Sequence, residues 1–186
     1  MSHVTRRAAL LALSAMAASP LRAQPAGKPQ SAGAETAELE QPAVLDITPK
    51  TGSLKETVQK GQALIWRQKQ GQQRLFRVDS ISVALLRDVT GTQVKITFSA
   101  NTTSLGYSTS GEAKLNLSIR TKAGAALYAW SFGIAIKCGD NNKPLTPLTH
   151  QMPMDISANA FANAGSVEIA QLSGPDVSGA KIQRCD

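Results

Sequence analysis

Alternation of apolar and polar residues runs through the middle of this 186-residue chain and restricts it to sheet. Val94, Ile96, Phe98 and Ala100 alternate with Gln93, Lys95, Thr97 and Ser99. Ala113, Leu115, Leu117 and Ile119 alternate with Glu112, Lys114, Asn116, Ser118 and Arg120. A strand points successive side chains to opposite faces, so each run buries one face and wets the other. Between them, residues 101–111 are rich in Thr, Ser and Gly and read as a loop; 121–124 read as a turn.

A third run sorts by size as well. Tyr128, Trp130, Phe132, Ile134, Ile136 and Cys138 share one face, and Ala129, Ser131, Gly133, Ala135 and Lys137 the other. This pattern predicts a central strand whose large face enters the core. Its small, flat face is open to another element or a partner. Upstream, Phe76 and Val78 hold one phase while Ile81, Val83 and Leu85 hold the opposite one. A one-residue slip at Asp79 and Ser80 predicts a bulge or a strand that changes sheets. Residues 63–67 read as a short strand. Met152, Met154 and Ile156 alternate with Gln151, Pro153 and Asp155. After them Ser157 is expected to cap a short helical turn over 158–164, closed by Gly165, with Phe161 plugging it into the core. Val167 and Ile169 open another strand, and residues 180–185 supply a last one.

About seven strands and one short helical turn predict an all-β fold, an antiparallel β-sandwich. A buried Trp on a central strand and a strand–helical turn–strand corner are features of immunoglobulin-like sandwiches. The likeness is architectural and points to no family, because such folds host many functions.

The first residues read as an address. Arg6 and Arg7 precede an apolar run over 8–18, and Leu21, Arg22 and Ala23 form a cleavage-like end. This is the layout of a bacterial secretory signal over residues 1–23, too short to span a bilayer. Thr5, Arg6, Arg7 and Leu10 resemble a twin-arginine signal, although Ala9 stands where that signal carries Phe; the general secretory route stays equally open. Residues 24–43, rich in Ala, Gly, Pro, Ser, Gln and Glu, are expected to be a disordered linker. The sandwich domain is then expected over 44–186. The protein is expected in the periplasm or outside the cell, with no transmembrane segment. Removing Arg6, Arg7 and Arg22 from 20 basic residues leaves 17 against 13 acids, a net +4. That balance does not call for nucleic acid. Cys138 and Cys185 are the only cysteines, and an oxidising compartment favours a disulfide between them. A metal pair or two free thiols are the alternatives; His150 as the single exported histidine leaves too few ligands for zinc.

No cluster amounts to a catalytic signature. His150 lies among Pro144, Pro147 and Thr149 without the glycine-rich elbow of a serine hydrolase. Ser178 with Lys181, and Lys50-Thr51-Gly52, match fragments of penicillin-binding motifs in reversed order. Asp79, Asp88, Glu112, Asp155 and Glu168 are candidate carboxylates for sugar hydrolysis, but each fits a wet strand face or a turn equally well. Asp140, Asn141 and Asn142 suit a turn better than a calcium loop. Trp130 and Tyr128 suit the core better than a sugar platform, since their face continues into Phe132 and Ile134.

One charge feature stands out. Lys50, Lys55, Lys60, Arg67, Lys69, Arg74 and Arg77 surround a single acid, Glu56, with glutamines and Trp66 interleaved. Lys60, Trp66, Arg67, Lys69, Arg74 and Arg77 are the candidate surface for an anionic partner; a solubilising strand edge is the competing explanation. The sequence therefore predicts an exported, non-catalytic binding or structural module without cofactor or metal. It would recognise a protein or an anionic envelope polymer or glycan, in an oligomeric state the sequence leaves open. A small periplasmic hydrolase acting on envelope polymer through His150 or a carboxylate pair is the alternative.

Overall fold

A computed structural model describes residues 35–47, 54–58, 62–69, 73–88, 90, 92–105, 109–172 and 179–185. The expected signal over 1–23 lies outside the described residues. In chain order the elements are β1 (Glu35–Leu39), β2 (Ala43–Asp46), β3 (Leu54–Val58), β4 (Leu64–Gln68), β5 (Arg74–Arg87) and β6 (Val94–Ser104). There follow β7 (Thr109–Thr121), β8 (Ala126–Ile136), β9 (Lys143–Pro144), β10 (Leu148–Gln151), α1 (Met154–Asn163), β11 (Ala164–Gln171) and β12 (Ala180–Arg184). The described part is thus all-β with one helix, and its ladders are antiparallel.

Hydrogen bonds join the strands into one twelve-stranded sheet in the order β10-β6-β5-β4-β1-β12-β7-β11-β2, with β3 on β5, β9 on β6 and β8 on β7. The sheet folds back on itself. Phe76 of β5 fills the space above Gly111 of β7, its Cζ only 2.6 Å from where a Cβ would stand. Phe98 of β6 meets Phe132 of β8 at 4.9 Å between ring centroids. The core between the halves is built by the inward residues of the alternating runs, with Phe98, Leu115 and Leu117 fully buried.

Several expectations are met. The phase slip in β5 is a bulge: Ser80 has φ 52°, and the β5–β6 register shifts between Asp79 and Ser82. Residues 121–124 turn as expected, with the Thr121 amide bonded to the Ala125 carbonyl at 2.8 Å. Phe161 is buried, and the Arg87 guanidinium lies 5.5 Å from its ring centroid.

Other expectations are corrected. The ordered body starts before residue 44, because β1 arises within the stretch expected to be linker. Ala37 of β1 pairs with Gln68 of β4 and Ala180 of β12, and it is fully buried. One buried alanine gives too little apolar signal to mark a strand, yet its backbone closes the ladder between the two halves. The expected loop over 101–111 is shorter than its composition suggested, since β6 runs to Ser104 and β7 starts at Thr109. Threonine suits a pleated strand, and buried Thr102 donates its hydroxyl to Asp140 Oδ2 at 3.0 Å.

The helix is also longer than one turn. It spans ten residues, starts after Pro153 and leaves Met154 61% exposed, so the alternation around Met152 is not a strand. Proline sets a helix-compatible φ and needs no amide partner at a helix start. Ser157 therefore sits inside the helix rather than capping it, its hydroxyl donating to the Pro153 carbonyl at 2.8 Å. Gly165 does not close the helix by a left-handed turn. A Cβ there would come within 2.6 Å of the Lys122 backbone, so close approach explains the glycine.

Finally, β8 is not a central strand. It pairs with β7 alone among the described residues. Trp130 on it is half-buried, and the tryptophan at the centre of the core is Trp66 of β4. A buried indole N–H needs an acceptor. Gln171 Oε1 supplies it at 3.0 Å and also accepts the Leu39 amide at 3.0 Å.

Candidate functional site

Of the expected basic surface, Trp66 is buried, and the described cations are at least partly exposed but paired with carboxylates. Trp66 alternates inward on β4 and is 0% exposed, so it presents no ring to a partner. Arg67 and Arg74 converge on one carboxylate, Glu40: Arg67 Nη2 lies 2.9 Å and Arg74 Nε 2.8 Å from Oε1. A second Arg74 nitrogen donates to Oε2 at 3.0 Å. The Arg74 hydrogen bonds hold the Glu40 carboxyl below its ordinary range despite some desolvation, with Arg67 adding to the effect. The same pairing raises Arg74 above the usual guanidinium value. Lys69 pairs with Glu38 at 3.3 Å, and Arg77 with Asp79 at 2.6 Å. Lys60 lies outside the described residues. The neutralising acids Glu38 and Glu40 come from β1 and the residue after it. That stretch precedes the basic segment in sequence and was expected to be linker.

His150 stands on β10 and faces β8. Its Nε2 and the Tyr128 hydroxyl are 2.6 Å apart. The imidazole is nearly parallel to the rings of Trp130 and Tyr128, at 5.2 and 5.8 Å between centroids. Among the described residues no serine, threonine or carboxylate hydrogen-bonds to His150. The arrangement latches β10 to β8.

The candidate carboxylates are dispersed. Asp79 pairs with Arg77, and Glu168 with Arg120 at 2.7 Å. Asp88 closes the β5–β6 turn, accepting the Thr92 amide at 2.8 Å and the Gln93 amide at 3.0 Å. Those bonds and the Thr90 and Thr92 hydroxyls lower its pKa to about 2, with the Gln93 amide the largest cause. Asp140 is the turn residue expected, nearly buried, accepting the Lys137 amide at 2.8 Å. Among the described residues no group of three or more His, Cys, Asp or Glu could hold a metal ion. Nor is any described helix long and apolar enough to cross a membrane.

Free cationic charge lies elsewhere. On the outer face of the sheet, β12, β7 and β8 floor a hollow of about 590 Å³ lined by Ser110, Glu112, Ala135, Lys137, Lys181 and Gln183. The register makes this floor: Glu112 stands opposite Ala135 on one side and Lys181 on the other. Ala135 leaves the space that a larger side chain would fill. Lys137 and Lys181 make no ion pair among the described residues, and neither does Lys114, the next outward residue on β7. Cys138, joined to Cys185 with a Cα–Cα distance of 6.0 Å, stands at the edge of the hollow. The disulfide favoured by the cysteine count is therefore present, and it ties the residue after β12 to the segment just past β8.

Sequence reading missed this hollow. Lys137 and Lys181 are 44 positions apart, and nothing in either neighbourhood tells that β12 pairs with β7. The one legible signal was the small outward face of β8. No protein-family model, curated protein or solved structure matched the chain, so the site is read from its own geometry.

Proposed function

We propose that this chain is an exported, non-catalytic binding module of a bacterial envelope that takes anionic groups of an envelope polymer into the hollow over β12, β7 and β8. The observation that carries the reading is the contrast in charge pairing. Arg67, Lys69, Arg74 and Arg77, on or beside β4 and β5, are matched by carboxylates, whereas Lys137 and Lys181 face the hollow without an ion pair among the described residues. Glu112 is the single acid in the lining, so the hollow is net cationic. Unpaired ammonium groups over a small-residue floor give an anionic chain both charge and room to lie flat.

Export is supported by the charged start and short apolar run of the sequence, and by a disulfide that belongs to an oxidising compartment. For the body we infer an immunoglobulin-like sandwich joined along one side, supported by the facing halves and the β10–α1–β11 corner. His150, already bonded to Tyr128 and stacked on Trp130, favours the binding module over the hydrolase.

The test is retention on a panel of anionic envelope polymers, with product analysis. The expected result is retention without turnover, lost in Lys137→Ala/Lys181→Ala and kept in Lys69→Ala/Arg74→Ala. Added salt should weaken it, since exposed charges are screened over about 10 Å at 0.1 M. Polymer turnover abolished by His150→Ala would instead establish the hydrolase.

A further inference from the structure

We propose that β8 is a self-association edge, through which two copies of this chain pair antiparallel and continue one sheet across a two-fold axis near Ser131. A strand pairs on two sides, and among the described residues β8 uses one. Its register partners from Ala126 to Ile136 all lie on β7, and no described residue hydrogen-bonds to its other side.

Exposed edges invite pairing, and proteins blunt them with charge, proline, bulges or short length. The other described edges carry such devices. β9 and β10 are two and four residues long, with Pro144 and Pro147 at or between them. β2 is four residues long and ends in Asp46. By contrast β8 runs eleven residues, ALYAWSFGIAI, without a charge or a proline.

The pairing around Ser131 favours a second copy as the occupant. A two-fold near Ser131 sets each position against one equally far on the other side of the axis, and the strand carries no charge that could meet a like one there. Here Ala129 meets the partner's Gly133, Trp130 meets the partner's Phe132, and Leu127 meets the partner's Ala135. Nothing in these pairs repels, and the aromatic pair is favourable across strands. Tyr128, Trp130 and Phe132 are only half-buried in one copy, so pairing would shield surface that the single chain leaves wet. Eleven residues of antiparallel ladder run about 37 Å. They form about ten hydrogen bonds, the number typical of a whole stable interface.

The inference does not depend on the anionic ligand, because association and polymer retention are separate readouts. Sedimentation velocity on the exported chain, up to about 100 μM, tests it with charge-reversal partners. Ala129 and Gly133 are exposed on the outer face, and a Cβ at Gly133 meets nothing within 4 Å, so substitutions there fit the fold. The wild type is expected as a dimer. Ala129→Lys/Gly133→Lys and Ala129→Glu/Gly133→Glu should each be folded monomers. An equimolar mixture should recover a dimer, because each Lys then faces a Glu. A monomeric wild type would overturn the proposal, as would dimers persisting in both charged variants. A dimer that appears only after removal of residues 1–34 would show that the chain's own N-terminal segment occupies the edge, and would overturn it too.

Discussion

Glu40 and Asp88 carry similar chemistry for different ends: one matches two arginines, the other staples a turn. Both carboxyls are held below their ordinary values, Glu40 from 4.5 and Asp88 from 3.8 to about 2. A group whose pKa is lower folded than unfolded stabilises the fold above its unfolded pKa, and that share is lost as pH falls through the folded value. Urea midpoints should therefore decline below about pH 4.5. The Asp88→Asn variant should decline less than wild type between about pH 4 and 2; parallel curves would refute the assignment. At Gly111 the constraint is steric. Its substitution by Ala would drive a Cβ into the Phe76 ring and to 2.9 Å from the Lys181 carbonyl. A loss of about 1–3 kcal/mol in chemical denaturation is expected for Gly111→Ala. The Glu40 and Gly111 roles were not legible in sequence, because each depends on a neighbour distant along the chain, whereas Asp88 bonds residues two to five positions on.

Among elements, β7 is the keel. It takes β8 along one side, and β12 and β11 in succession along the other. Its alternation was legible because both faces are unambiguous: Leu115, Leu117 and Ile119 are buried, while Glu112 and Lys114 are exposed. Leu117→Ala should cost about 2–5 kcal/mol through the cavity it leaves, read from urea unfolding; a neutral result would place Leu117 outside the core. Two elements were misread for definable reasons. The helix α1 begins with an apparent two-residue period, from Met152 to Ile156, that five residues cannot distinguish from helix. Strand β1 has one buried side chain and relies on backbone pairing, which leaves no pattern. The size sorting along β8 was read correctly as large face and small face. Its place in the sheet was not, since a half-buried aromatic and a buried one look alike in sequence.

At the scale of the molecule, the Cys138–Cys185 bond spans 47 positions and fastens the C-terminal strand beside the hollow. Closing such a loop stabilises by roughly 4 kcal/mol in the chain-entropy picture. Reduction or Cys138→Ser/Cys185→Ser should lower stability by that order. Non-reducing mass spectrometry should show the chain two hydrogens lighter than its reduced form; two freely alkylated thiols would contradict the bond. The sequence by itself determined the all-β class, the phase slip in β5, the inward residues of β6 and β7, and the one available cysteine pair. These follow from local alternation and from counting, which need no knowledge of neighbours. Tertiary structure alone decided that Arg67, Lys69 and Arg74 are matched by Glu38 and Glu40, that Trp66 rather than Trp130 lies at the core's centre, and that β8 is an edge among the described residues. It also decided that Lys137 and Lys181 share one hollow. Each of those outcomes depends on which strands lie side by side. Strand pairing is set by the packing of the whole sheet around its core, and no short stretch of chain encodes it.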